Sequence, residues 1–538
     1  MSEGGEAEEI ALRAGATYRS LGEQRLSARE ERFERARRTI GLFLGPLALL
    51  ALYAMPMRIP RRQHDLAAIL VFVMVYWITE AVPIPVTGLI GIALCVLLNV
   101  GPAREVVAGF GDPAIFLFIG AFIIAEAMLK HGVARRFAFR ILSLPMVGSS
   151  TTRIVIAFGV ATTALSAFIS NTATVAMLLP SALGILATLA TLIRRHDRAR
   201  WEHATDADGA FDPSRLRVGT ALMLMLAFGA SVGGLLTPVG TPTNIIGRRL
   251  IEDATHTRIG FLQWVVIAAP ISLVMFLVLA LVLLLLNRPE IDRVPGIAEY
   301  VAREHARLGP LSVAERNTLI AFATAVVLWV LPGMVGVVSG IDSPLFGAVS
   351  ERLNEGVVAV AAASLLFLLP TSWPRREFTL RWSDAVGIDW GTILLFGSGI
   401  VFGALLRQTG LAEGMGRAMA HLMGVGSALP ITIFATVIAV VISETTSNTA
   451  SVAVVVPIVL PVAAAAGVSP LVPGMAAVFG ASFGFMLPVS TPQNAIVYGS
   501  GFVPITKMVR SGLVFDVLGV LIIVIGVPLM MGLVLSAP

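Results

Sequence analysis

The chain has 538 residues, of which 56% are hydrophobic and 14% charged, with a formal net charge of +5. Soluble domains carry about 25% charged residues, so this composition excludes a pair of soluble domains and indicates a polytopic α-helical membrane protein; the mean hydropathy of +0.85 agrees. One cysteine, Cys95, excludes an internal disulfide framework, and the basic residues are spread over polar connections, which speaks against a nucleic-acid surface.

Residues 1–39 read as a polar cytosolic tail with no cleavable leader. Scaffold helices are expected over 40–145, with spans at about 40–57, 66–82, 84–100 and 114–129. Arg135-Arg136-Phe-Ala-Phe-Arg140 then predicts an interfacial amphipathic helix. Residues 146–260 hold two apolar half-runs at 153–193, a polar insertion at 194–217 and a span from 218 that breaks at Thr237–Asn244. Neither half-run stays apolar long enough to cross, which predicts a re-entrant helical hairpin whose polar tip is buried in protein. Residues 261–426 carry a sixth span (261–287), a polar connection (288–315) and scaffold spans at 316–333, 356–370 and 390–407. Residues 427–538 hold a second hairpin (428–465), a second broken span (471–500) and a last span (512–536).

The expected fold class is all-α, with about 11 transmembrane helices plus two re-entrant hairpins. Most Arg-rich segments fall on one side, which puts the N-terminus in the cytoplasm and the C-terminus outside. Arg58, Arg61, Arg62, Arg248 and Arg249 fall on the other side. The odd number of spans makes the two halves an inverted repeat.

The repeat is written in the sequence. Ser166-Ala-Phe-Ile-Ser170-Asn171-Thr172-Ala173 returns as Ser443-Glu-Thr-Thr-Ser447-Asn448-Thr449-Ala450. Pro238-Val-Gly-Thr-Pro-Thr-Asn244 returns as Pro488-Val-Ser-Thr-Pro-Gln-Asn494, and Phe228-Gly-Ala-Ser-Val-Gly233 as Phe479-Gly-Ala-Ser-Phe-Gly484. Polar, helix-breaking clusters at matching places in two apolar halves point to the binding site of a transporter.

Ser166 and Ser170 are four apart and are expected to share a helix face, as are Ser443 and Ser447. With the terminal carbonyls of a hairpin arm and the Asn amide oxygen, they make a set of neutral oxygen ligands suited to a hard monovalent cation such as Na⁺. The breaks add backbone carbonyls near Gly240 and Ser490, where the prolines prevent regular helix. The same breaks create helix N-termini that favour anions, with Thr172, Thr449, Thr241 and Thr491 as hydroxyl donors. No Arg or Lys lies in either hairpin tip or either break, so a bound anion is expected to depend on the co-bound cation. Glu444 has Ala167 as its counterpart and reads as a structural hydrogen-bonding group, as do Glu80 and Glu126. No nucleophile-plus-base pair, metal-ligand spacing or charged pore ring stands out, which argues against an enzyme or a channel.

These residues, with Trp77-Ile-Thr-Glu-Ala-Val-Pro-Ile-Pro-Val-Thr87, resemble the divalent anion:sodium symporter family, the dicarboxylate and sulfate carriers of the ion transporter superfamily. The resemblance covers about residues 40–537. It implies a homodimer in the cell membrane, each protomer built of a scaffold and a transport domain that moves as an elevator. It implies one Na⁺ site at Ser166, Ser170, Asn171 and the Gly240 carbonyl, and another at Ser443, Thr446, Asn448 and the Ser490 carbonyl. Substrate carboxylates would meet Asn171, Thr172, Ser447, Asn448 and Thr449, with Thr241, Pro242, Thr491 and Pro492 beneath them. Intact Ser-Asn-Thr in both halves is similar to the dicarboxylate members, for which succinate, malate and fumarate are the expected cargo. A sodium-independent exchanger and a sulfate carrier are the alternatives. Thr243 and Gln493 depart from the family's Thr-Pro-Pro-Asn, so substrate choice or ion coupling is expected to differ there.

Overall fold

The structure is a computed structural model that describes residues 28–196, 216–290, 292–293, 297–423 and 427–535. The tail to residue 27 and most of the 194–217 insertion lie outside the described residues. The helices run α1 (Ala28–Ala54), α2 (Arg61–Thr79), α3 (Ile84–Leu97), α4 (Ala103–Val107), α5 (Pro113–Lys130) and α6 (Val133–Leu142). The first repeat's core follows as α7 (Thr151–Ser166), α8 (Asn171–His196), α9 (Arg217–Gly234), α10 (Pro242–Thr255) and α11 (Phe261–Leu286). Then come α12 (Ile297–Arg307), α13 (Val313–Ser339), α14 (Pro344–Arg352), α15 (Glu355–Leu368), α16 (Trp382–Val386), α17 (Trp390–Thr409) and α18 (Leu411–Met423). The second core is α19 (Ala428–Thr445), α20 (Asn448–Ala465), α21 (Leu471–Ala481), α22 (Pro492–Gly499) and α23 (Ile505–Leu535).

Among the described residues, nine helices are long and apolar enough to cross a membrane: α1, α5, α9, α11, α13, α17, α19, α20 and α23. The two arms of the second hairpin count among them. α9 is buried along nearly its whole length. By contrast α1, α11, α13 and α23 present apolar flanks outward, with Phe43 65%, Leu281 58%, Val338 84% and Ile525 67% exposed. Exposed apolar surface on this scale marks a face made for lipid or for another apolar surface.

The polar connections are more ordered than composition alone suggests. The 288–315 stretch forms the amphipathic α12, because its apolar residues fall at helical spacing. Its end is tied to α6 where Arg136 pairs with Glu315 at 2.7 Å. Glu315 also closes a capping box with Ser312 at the start of α13. One small departure from an all-α fold is the antiparallel hairpin of β1 (Pro370–Ser372) and β2 (Glu377–Phe378). Arg248 and Arg249, which opposed the charge-based orientation, are committed to ion pairs: Arg248 to Glu252 and Glu355, Arg249 to Asp112 and Asp253.

The two cores pack alike. In each, the first hairpin arm lies on the first half of the broken helix: α7 on α9, and α19 on α21. The second arm crosses to the other repeat, α8 meeting α22 and α20 meeting α10. The last helices, α11 and α23, lie against each other.

Candidate functional site

Each hairpin tip breaks where its sequence turns polar. In the first, α7 ends at Ser166 and α8 starts at Asn171. Ser166 and Ser170 therefore do not share a helix face as their spacing predicts, because the helix stops between them. Ser170 instead accepts the Ala173 N–H at 3.3 Å, in the first turn of α8. The second tip is built alike: Ser443 lies in the last turn of α19, which ends at Thr445, and Ser447 caps α20 by accepting the Ala450 N–H at 3.2 Å.

What brings the serine and asparagine together is the turn. Ser166 Oγ donates to Asn171 Oδ1 at 2.7 Å, and Ser443 Oγ to Asn448 Oδ1 at 2.8 Å. The breaks in the crossing helices come up to these pairs. A side chain on Gly234 would project to 2.7 Å from Asn171 Oδ1, and one on Gly484 to 3.1 Å from Asn448 Oδ1. A side chain on Gly240 would meet the carbonyls of Gly234 at 2.5 Å and of Ser166 and Ala167 at 3.0 Å. Only glycine leaves these carbonyls room to converge. Thr237 Oγ1 donates to the Ala167 carbonyl and fixes this edge. In the second half Ser490 Oγ donates to the Glu444 carbonyl at 2.8 Å, and Thr446 Oγ1 to the Ile442 carbonyl at 2.8 Å. The oxygens are neutral and buried at Ser166, Asn171, Ser443, Thr446 and Ser490, a donor set that suits a hard monovalent cation.

The residues expected at the substrate are more open. Thr172, Ser447, Asn448, Thr449 and Pro242 are half-buried and Pro492 is exposed, while Thr241 and Thr491 are buried as N-cap residues of α10 and α22. α8, α10, α20 and α22 all begin at these breaks, and the positive dipole end of a helix N-terminus favours a carboxylate.

Two asparagines outside the expected ligand set hold the breaks in shape. Asn244 Nδ2 donates to the carbonyls of Gly234 (2.7 Å) and Thr237 (2.8 Å). Asn494 Nδ2 does the same to Gly484 (2.7 Å) and Leu487 (3.2 Å). The contacts equate Gly234 with Gly484, one residue away from the Gly233–Gly484 match of the motifs. The slip arises because the first repeat has one more residue between Phe228 and Pro238 than the second has between Phe479 and Pro488; α9 stays helical to Gly234, whereas α21 ends at Ala481.

Thr243 and Gln493, the departures from the family pattern, are occupied by hydrogen bonds within the protein. Both are buried, and each reaches into the opposite repeat: Thr243 Oγ1 lies 2.8 Å from Ser482 Oγ, and Gln493 Nε2 donates to Ser231 Oγ at 3.0 Å. Ser231 and Ser482 are the serines of the paired Phe-Gly-Ala-Ser motifs. Two reciprocal ties thus join the crossings, and Phe228 and Phe485 stack edge-on between them with centroids 4.8 Å apart.

The sequence shows no basic residue in either tip, but the fold brings one close. Arg37 of α1 donates to the Thr445 carbonyl at 3.0 Å and pairs with Glu80 at 3.3 Å. Its charge meets the carbonyl end of α19, where a cation is favoured.

The sodium:sulfate symporter transmembrane-region model matches residues 38–535. The chain is 30% identical over 490 residues to the sodium-dependent dicarboxylate transporter SdcS of Staphylococcus saprophyticus, covering 90% of each. It is 30% identical over 507 residues to the SdcS of Staphylococcus aureus strain USA300, covering 93% of each. Among solved structures, MtrF of Neisseria gonorrhoeae, from a class described as antimetabolite efflux pumps, superposes with a TM-score of 0.51 at 14% identity. That match covers 89% of this chain and 97% of MtrF, and is a likeness of fold. With the family model spanning nearly the whole chain and both motif pairs inside it, the chain belongs to the sodium:sulfate symporter family.

Proposed function

We propose that the protein is a sodium-coupled carrier of C4-dicarboxylates such as succinate, malate or fumarate. The observation that carries this reading is the pair of matched oxygen cages, Ser166–Asn171 and Ser443–Asn448, each beside a helix N-terminus open to an anion. One Na⁺ would take Ser166, Ser170, Asn171 and the Gly240 carbonyl; the other Ser443, Thr446, Asn448 and the Ser490 carbonyl. The dicarboxylate would bridge Asn171-Thr172 and Ser447-Asn448-Thr449 above Thr241-Pro242 and Thr491-Pro492. With no basic residue in either cage, the bound sodium ions offset the charge of the carboxylates. The relatives' names, sodium-dependent dicarboxylate transporters, support the choice of cargo.

The transport unit in this reading is α7–α11 with α19–α23, moving as an elevator against a homodimeric scaffold, with eleven spans, two re-entrant hairpins, a cytoplasmic N-terminus and an outer C-terminus. The decisive experiment is uptake of labelled succinate into proteoliposomes under an inward Na⁺ gradient and with choline instead. Uptake with Na⁺ alone is the expected result. Equal uptake with choline would make the protein an exchanger. Asn171→Ala and Asn448→Ala should each abolish sodium-dependent uptake, and unchanged uptake in both would remove these cages from the mechanism.

A further inference from the structure

The second cage has a neighbour that the first lacks. Glu444 lies at the tip of α19, 3% exposed. Its carboxylate accepts from the Phe485 and Met486 backbone N–H groups and from Ser490 Oγ at 3.1 Å. Every one of these contacts is a donation to Glu444, the pattern a carboxylate takes.

Asp516 of α23 comes up to the same spot. Gly512 makes this possible: a side chain there would fall 2.5–2.6 Å from the Phe485 carbonyl group and the Met486 nitrogen, so α23 lies directly on the break. One turn on, Asp516 is 4% exposed, and its carboxyl reaches that of Glu444. Neither Asp516 oxygen meets a hydrogen-bond donor among the described residues. The nearest basic residues on α23 point elsewhere, Lys507 to Thr220 and Arg510 to the Leu286 carbonyl. The rings of Phe483, Phe485 and Phe515 pack together at centroid distances of 4.9–5.8 Å and shield the pair.

A buried carboxylate without a partner is among the costliest groups a membrane interior can hold, and such groups mark ion pathways. Two facing each other call for a cation. A proton shared between the two carboxyls or a metal cation bound by both would each relieve the repulsion, and the oxygens around the pair suit the metal. The oxygens at hand are all hard ones: Asp516, Glu444 and the Ser490 Oγ bound to Glu444. We infer that Asp516 and Glu444 form a further sodium site beside the second cage, one with no equivalent in the first. At the same step of α11 the first repeat has Ser272, also buried with an unpaired hydroxyl, and at the Glu444 position it has Ala167. The site rests on the sodium-coupled reading and adds one ion to the two that reading needs.

The test is equilibrium binding of ²²Na⁺ to the purified full-length protein at saturating Na⁺. Wild type should bind one ion per protomer more than the two cages account for. Asp516→Asn, and Asp516→Ser, which copies the first repeat, should each bind one ion fewer than wild type; Ser166→Ala should independently remove another. Two ions in wild type, or an unchanged count in a folded Asp516 variant, would overturn the site and leave a proton as the occupant of the pair. No sodium binding at all would instead overturn the sodium-coupled reading, and the site with it.

Discussion

The two helix breaks share a hydrogen-bond plan but are fastened to the rest of the molecule by opposite means. The first is fastened from outside. α10 carries Arg248, Arg249, Glu252 and Asp253, and through them it pairs with Glu355 of α15 (2.7 Å), Asp112 before α5 (2.6 Å) and Arg407 of α17 (3.3 Å). The second is fastened from inside. α22 has no charged residue, and the break before it is gripped by Glu444 through two backbone N–H groups and Ser490. A shared plan of neutral donors thus sets the shape of the cage, while charge decides what each half answers to. The first is tied to its surroundings, and the second to its own hairpin tip.

The largest effect that would break this contrast is on stability. Glu355→Ala leaves buried Arg248 with one carboxylate instead of two and frees the Phe261 N–H; breaking a buried pair costs about 3–5 kcal/mol. The melting temperature in detergent should fall sharply, and a small shift would mean that the outer fastening is ornamental. Next is the difference between the glycines. Gly234→Ala forces a methyl to 2.7 Å from Asn171 Oδ1, Gly484→Ala only to 3.1 Å from Asn448 Oδ1. Overpacking of this kind costs about 1–3 kcal/mol, so Gly234→Ala should raise the Na⁺ concentration for half-maximal uptake by roughly tenfold or more. Gly484→Ala should raise it less, and the reverse order would contradict the geometry.

A third test asks whether the plan is shared in energy as well as in form. Asn244→Leu and Asn494→Leu each remove two donations to buried carbonyls, at about 1–3 kcal/mol. Equal losses of thermal stability are expected, and a several-fold disparity would confine the scaffold role to one repeat. The smallest effect belongs to the cross-repeat ties. Thr243→Val and Gln493→Leu should each cost about 0.5–1.5 kcal/mol and flatten the Na⁺ dependence of uptake, since each loosens the contact through which one break feels the other. An unchanged slope in the double variant would show that the ties hold structure alone.

Much of this was legible in the sequence because it is local. Polar Ser-Asn-Thr and Pro-Thr-Pro clusters interrupt apolar runs, so the breaks and their doubling could be read from composition and spacing, whereas the full ligand sets, Thr446 among them, came from the family resemblance. The helical spacing of Ser166 and Ser170 misled because spacing assumes an unbroken helix. What stayed hidden depends on distant packing. Arg37 meets Thr445 across 408 positions, and no pattern in either segment announces the other. Asp516 is one acidic residue in an apolar helix until Gly512 lays that helix on the break. Thr243 and Gln493 looked like changes in ligand chemistry; their partners, Ser482 and Ser231, were in view only as parts of a motif match.

The reciprocal ties also bear on how the molecule is made. Thr243 waits for a serine 239 positions later, and Ser231 for a glutamine 262 positions later; α8 and α10 likewise pack on helices from the far end of the chain. During synthesis the first half enters the bilayer with its polar break facing partners that do not yet exist. Its buried hydroxyls and amides must be sheltered by water or by the insertion machinery until the last hundred residues arrive. Maturation of the first cage is therefore a late, post-insertion event, and a chain truncated before Ser482 should remain open to proteolysis at 237–244 even though every residue of that cage is present.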